Sequence, residues 1–233
     1  MLEEHELTPT YEVYFTGCSL RCRFCTVPDA IERPNDGAWM SPQALVEHIT
    51  HPSVPPFRTL SFVGGDPTVN LPYIRQLLPI LRHKLPSIPL VLNTNLYIPP
   101  DIAQWCATAF DWVVGDVHFW NPVCARRIAA AQDCPAVSTQ AAETILSSGG
   151  RLILRILSLP GHIDCCTIPT AKWAATLTGD LRVNLMTHYA PAGHARGDAE
   201  LGRTLTPAEQ LRASQSLPAT VQRPVRSPLP WLG

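Results

Sequence analysis

Six short apolar runs, each followed by a longer stretch with helical spacing, limit this chain to few folds. The runs are YEVYFT at 11–16, TLSFV at 59–63, LVLNT at 90–94, DWVVG at 111–115, RLILRIL at 151–157 and LRVNLM at 181–186. They are aliphatic and β-branched, the pattern of parallel strands buried on both faces. Between them, Ile74, Leu77, Leu78, Leu81 and Leu85 share one face of a helix over 72–85, which Pro79 should bend. Ile102, Trp105 and Cys106 do the same over 101–110. Ser41-Pro42 and Thr206-Pro207 each place a cap residue before a proline at the first helical position, and Glu209 completes a capping box with Thr206. Further helices are expected at 122–131, 138–148, 169–177 and 207–217. Strand, helix, strand throughout implies right-handed crossovers and a parallel sheet. Six such units predict an α/β fold, a partial (β/α)6 barrel of the TIM type with outer helices. Residues 1–217 read as one core domain. The stretch 218–233, with four prolines and Trp231, reads as an irregular tail. No internal repeat is visible.

Composition narrows the partners. With 18 basic and 19 acidic residues the formal charge is -1, and no basic stripe marks a nucleic-acid surface. No apolar run approaches the length that spans a bilayer. The first residues, Met-Leu-Glu-Glu-His-Glu-Leu, are acidic and lack an apolar signal core, so a cytoplasmic location is expected. Thiols stay reduced there, and the eight cysteines read as ligands and core residues rather than disulfides.

In a barrel of this kind, chemistry sits in the loops after the strands. Polar residues gather at all six such places. The first run leads into Cys18, Cys22 and Cys25, and the second into Gly64-Gly65-Asp66-Pro67. The third ends in Asn93-Thr94-Asn95 and the fourth leads into Asp116-Val117-His118. The fifth carries Arg155 and precedes His162 and Asp164; the sixth contains Asn184 and precedes His188 and Tyr189. Without side chains, Gly64 and Gly65 let backbone approach a ligand, and Asp66 can accept from an ammonium group.

The spacing C-x3-C-x2-C, with Phe24 before the last cysteine, can hold three irons of a cubane and leaves the fourth iron without a protein ligand. A zinc site using the three cysteines and one further ligand is the alternative, although zinc spacings more commonly come as pairs of C-x2-C. Cys106 and Cys124 lie on apolar faces, Cys124 with Ile128, and read as core thiols. Cys134 carries no signal. Cys165-Cys166 reads as core or loop thiols, with a reactive or cluster-binding pair as the alternative.

Cys18, Cys22 and Cys25 with Phe24 resemble the signature of the radical S-adenosylmethionine (SAM) superfamily, and the stretch 11–191 is similar to proteins related to the pyruvate formate-lyase activating enzyme. The resemblance implies one [4Fe–4S] cluster on the three cysteines, with SAM chelating the open iron. Reductive cleavage of SAM then yields a 5'-deoxyadenosyl radical that abstracts a hydrogen atom from a substrate. Gly64-Gly65-Asp66 is similar to the family's glycine-glycine-glutamate motif and would hold the methionine end. Asp116-Val117-His118 resembles an aspartate-x-lysine segment that contacts SAM. By the same resemblance Phe24 and Thr26 flank the cluster, with the Phe24 backbone meeting the adenine. Asn93, Asn95, Arg155, His188 and Tyr189 would line the SAM pocket. A flavodoxin- or ferredoxin-like electron donor is implied. The substrate is a glycyl-radical enzyme, another protein or a small molecule. Asp66 in place of glutamate and His118 in place of lysine depart from the pattern. A non-catalytic metal-binding or electron-transfer protein is the remaining alternative.

Overall fold

The computed structural model describes Glu4 and residues 7–217. The expected proline-rich tail at 218–233 lies outside the described residues. Six strands form one sheet in chain order, all neighbours parallel: β1 (Thr10–Phe15), β2 (Thr59–Gly64), β3 (Leu90–Thr94), β4 (Trp112–Asp116), β5 (Leu152–Leu157) and β6 (Leu181–Met186). Among the described residues β1 and β6 each pair with a single neighbour, so the sheet stays open and the expected partial barrel is the observed one.

Eight α-helices accompany the strands: α1 (Pro28–Glu32), α2 (Pro42–Ile49), α3 (Leu71–Lys84), α4 (Pro100–Ala109), α5 (Pro122–Ala129), α6 (Cys134–Ser147), α7 (Ile168–Ala174) and α8 (Pro207–Ser214). Every one has a proline at its first or second position. There the missing N–H costs nothing and the fixed φ suits a first turn. This use accounts for much of the proline content. Pro79 is the exception inside a helix, and α3 continues through it. Its side chain is exposed, so water can serve the Arg75 carbonyl that it leaves without a donor. Helix α1 was not anticipated. Helix α6 starts four residues before the expected 138, because Asp133-Cys134-Pro135 opens it.

The outward strand residues pack under the helices. Leu60, Phe62, Leu92, Leu152, Leu154 and Val183 meet Ile49 of α2, Leu77 and Leu81 of α3, Cys106 of α4, Ile145 of α6 and Ala171 of α7 in one core. Cys106 is the core thiol expected of it. The inward face carries a separate small cluster: Val91, Trp112, Val114 and Ile153 close around Leu7 of the N-terminal segment. The inner core is therefore partly filled by residues preceding β1.

Candidate active site at the strand ends

β1 runs into the cysteine loop, which is anchored at several points. The Gly17 N–H donates to the Ala30 carbonyl of α1 at 2.8 Å. The Arg21 and Arg23 N–H groups donate to the Ala129 and Ile128 carbonyls at the end of α5, at 3.0 and 2.9 Å. Cys18, Cys22 and Cys25 are half-buried. Burial pushes all three thiols above their usual range, and the charges of neighbouring thiolates add to this at Cys18 and Cys22. N–H donors already face the sulfurs. The Leu20 N–H and the Asn95 side chain reach the Cys18 sulfur at 3.4 and 3.5 Å, and the Val27 N–H meets that of Cys25. Three desolvated thiols, two of them with N–H groups turned to the sulfur, fit an iron–sulfur cluster: iron replaces the protons, and the N–H groups at Cys18 and Cys25 offset part of the resulting charge.

The glycine pair lets two strand ends meet closely. A Cβ on Gly65 would fall 2.0 Å from the Gly17 carbonyl oxygen, and one on Gly64, at φ +120, 2.1 Å from that of Phe15. Gly65 and Asp66 donate their N–H groups to Phe15 and Gly17 at 2.9 and 2.8 Å. The close approach is thus between the ends of β2 and β1. Asp66 also departs from the expected ammonium grip. It is 0% exposed, and its carboxylate accepts from the Thr68 N–H and hydroxyl (2.9 and 2.6 Å), the Thr94 hydroxyl (3.0 Å) and the Asn95 N–H (2.8 Å). Burial raises its pKa, with these donors opposing. Its role here is to tie the ends of β2 and β3 together and to seat Asn95 on Cys18.

Phe24 is buried, and its ring lies edge-on to His118 (centroids 5.6 Å apart) and Tyr189 (6.4 Å). Burial lowers the His118 pKa more than the Asp116 carboxylate raises it, so the imidazole is neutral at pH 7. Asn93 lies opposite Val114, two residues before Asp116, on the inward register. Thr26 and His188 are exposed. Two further residues of the expected pocket are held by contacts within the protein. Tyr189 is buried with its hydroxyl donated to the Leu201 carbonyl at 2.9 Å, so it packs beneath Phe24. Arg155 grips Glu4 with two bonds of 2.9 and 2.7 Å, joined by Asn184 at 3.2 Å, which turns it to the N-terminal segment.

The loop after β6 plays a part that the sequence reading missed. Gly193, at φ +51, packs where a Cβ would meet the Cys25 carbonyl at 2.6 Å. His194 pairs with Glu32 of α1 at 2.5 Å, and Arg23 pairs with Asp198. The loop therefore braces the cysteine loop; glycine at a contact with backbone was its one visible signal. A cleft of ≈ 540 Å³ runs beside β1, lined by Tyr14, Thr16, Trp39 and Tyr73 among others, and the three cysteines do not line it.

A partial α/β barrel with three clustered cysteines at the end of its first strand defines a cluster-binding enzyme scaffold. The chain belongs to the Radical SAM superfamily, whose profile matches residues 13–174. Its cofactors are a [4Fe–4S] cluster and SAM. An uncharacterised protein of Methanocaldococcus jannaschii is 27% identical over 210 residues, covering 88% of this chain and 60% of that protein. The chain thus spans about three fifths of that relative's length. Streptococcus suis SuiB bound to precursor peptide SuiA superposes with a TM-score of 0.63 at 14% identity, over 92% of this chain and 47% of that one. A domain of pyruvate-formate lyase-activating enzyme from Bacteroides vulgatus gives 0.53 at 15% identity, over 68% and 92%. Among the described residues no helix is long and apolar enough to cross a membrane.

Proposed function

We propose that this protein abstracts a hydrogen atom from a protein substrate, in the manner of an enzyme that activates a glycyl-radical partner, and that it works in the cytoplasm with a flavodoxin- or ferredoxin-like donor. When bound, the cluster and SAM together supply a 5'-deoxyadenosyl radical. The chain's own residues do the rest. Cys18, Cys22 and Cys25 hold the metal, and the Asn95 side chain steadies Cys18. Phe24, Phe119 and Tyr189 form an apolar wall that keeps water from one side of the site. Asp116 and neutral His118 offer hydrogen-bond partners beside that wall.

The observation that carries this reading is the triad itself, three desolvated thiols on a loop braced from both ends. What supports a protein substrate is the open side at β1, where Tyr14 and Trp39 stand 64% and 84% exposed beside the cleft. A second reading, modification of a small polar molecule, is favoured by the departures at Asp66 and His118. Iron-reconstituted protein under dithionite is expected to form 5'-deoxyadenosine from SAM, and Cys18→Ala to abolish both iron retention and that product. Full cleavage by Cys18→Ala would refute the chemistry. A glycyl-radical signal on an added partner, rather than on a small molecule's product, separates the two readings.

A further inference from the structure

Among the described residues one group of three or more metal-ligating side chains has its donor atoms all within 4.8 Å of one another, and it is not the triad: Cys124, His162, Cys165 and Cys166. Cys124 stands in the first turn of α5, where the Asn121 side chain caps the Val123 and Cys124 N–H groups at 2.8 and 3.4 Å. His162, Cys165 and Cys166 follow β5, the two cysteines in a π-helical turn at Ile163–Thr167 whose Thr167 N–H returns to the His162 carbonyl at 3.2 Å. Such turns often mark functional sites because the extra residue re-aims side chains. Cys124 is buried among apolar side chains, as expected of a core thiol, and its sulfur also lies 3.4 Å from His162 Nδ1 and 3.7 Å from the Cys165 sulfur. His162 Nδ1 is 3.3 Å from the Cys165 sulfur.

We infer that these four side chains form a structural zinc site, separate from the radical centre. Around a tetrahedral zinc, bonds of about 2.3 Å to sulfur and about 2.0 Å to nitrogen give sulfur–sulfur edges of about 3.8 Å and sulfur–nitrogen edges of about 3.5 Å. The separations of 3.7, 3.4 and 3.3 Å already match. A cubane would set its ligand sulfurs farther apart, with irons between them. Four protein donors close the coordination sphere, as in structural rather than catalytic zinc sites.

The imidazole is presented for this. Glu200, paired with the Arg127 guanidinium, lies 2.9 Å from His162 Nε2. Of the two groups at Nε2 the carboxylate is nearer than Arg127 Nη2 (3.4 Å), and with Nε2–H donating to it the Nδ1 lone pair faces the sulfurs. Carboxylate, histidine and metal in a row is the usual second layer of a zinc site. The Cys166 sulfur receives the N–H groups of Asn121 and Trp120. His162, Cys124 and Cys166 are 4, 7 and 1% exposed, and Cys165 is half-buried. Binding releases the three thiol protons to water as the metal takes their place. The consequence reaches the radical site through α5: zinc would pin the start of that helix to the loop after β5, while the end of the same helix carries the cysteine loop.

The test counts metals by mass spectrometry in the full chain purified without chelator or metal-affinity resin. Wild type is expected to hold one zinc per chain beside its iron, and C18A/C22A/C25A to lose the iron and keep the zinc. Cys124→Ser and Cys166→Ser should lose zinc and retain iron. Glu200→Gln, a positioning change, should weaken zinc by about 10- to 100-fold in chelator competition, because the ring loses its orienting partner. Cobalt(II) added to stripped C18A/C22A/C25A should give thiolate charge-transfer and tetrahedral bands, which needs no further variant to fold. Zinc that survives Cys124→Ser overturns the site. So do the absence of both zinc and the cobalt spectrum, iron that is lost from C18A/C22A/C25A only on changing Cys124, and a Cys124–Cys165 disulfide in anaerobically alkylated protein.

Discussion

Gly65 shows how much one hydrogen atom in place of a methyl group can decide. A Cβ there would sit 2.0 Å from a backbone oxygen of the loop that carries Cys18, with no flexible side chain to give way. Gly65→Ala is expected to cost about 3 kcal/mol, the upper range for overpacking, and to lower iron retention by displacing Gly17. Gly149, at φ +77 with nothing within 4 Å of its Cβ position, closes α6. Gly149→Ala should cost about 1 kcal/mol, from the left-handed backbone alone, and leave iron binding intact. Urea midpoints and iron content of the two variants check this; equal losses at both would refute the assignment. At this scale the cysteines and the glycine pair were legible because their spacing and their lack of side chains are visible in the chain. The duties of Asp66 and Tyr189 were not. A carboxylate that looks free to take an ammonium group is taken by Thr68, Thr94 and Asn95, and that depends on where β3 ends.

At the scale of elements, prolines and caps made most helix starts readable, α1 and the start of α6 excepted, while ends drifted by up to a few residues because fraying carries no strong signal. The π-helical turn at Ile163–Thr167 was invisible, since it comes from packing between α5, α7 and the loop after β5. Helix α8 illustrates a start that also holds tertiary structure. Glu209 completes the capping box, accepting from the Thr206 N–H at 2.8 Å, and reaches the Gly161 N–H at 2.8 Å and Arg203 at 2.7 Å. The Arg203 bond, with these donors, holds its carboxyl well below the usual range. Its stabilisation is therefore complete above the unfolded value of about 4.3 and is lost as pH falls toward the folded one. Glu209→Gln should be less stable than wild type by about 1 kcal/mol at pH 7. The gap should narrow as pH falls below about 4.3, because the unfolded chain takes up the proton first, and go on narrowing toward the low folded value. A gap that stays constant with pH in urea titrations would show that the charge contributes nothing.

For the whole molecule, six buried runs in order were enough to foresee an open parallel barrel, because strands covered on both faces leave little choice of architecture. How the barrel's inside is filled was not foreseeable. Leu7 caps the small inner cluster, and Glu4, 0% exposed, meets Arg155 across a sequence separation of 151 residues. No local pattern encodes such a partner. Burial pushes the Glu4 carboxyl up, but the two Arg155 bonds and Asn184 outweigh it and keep it ionised. Charges taken out of water this far are tolerated only as a pair, so losing one partner should hurt more than losing both. Glu4→Gln leaves a buried guanidinium without its counter-charge and is expected to cost about 3 kcal/mol. Arg155→Met leaves a carboxylate that must desolvate or take up a proton, at a similar cost. The double variant should cost less than the sum by about 2 kcal/mol. Additive losses in the denaturation cycle would mean that Glu4 and Arg155 do not act as a pair. Coupled losses would mean that the inside of the barrel is held shut by one ion pair between the first residues of the chain and its fifth strand.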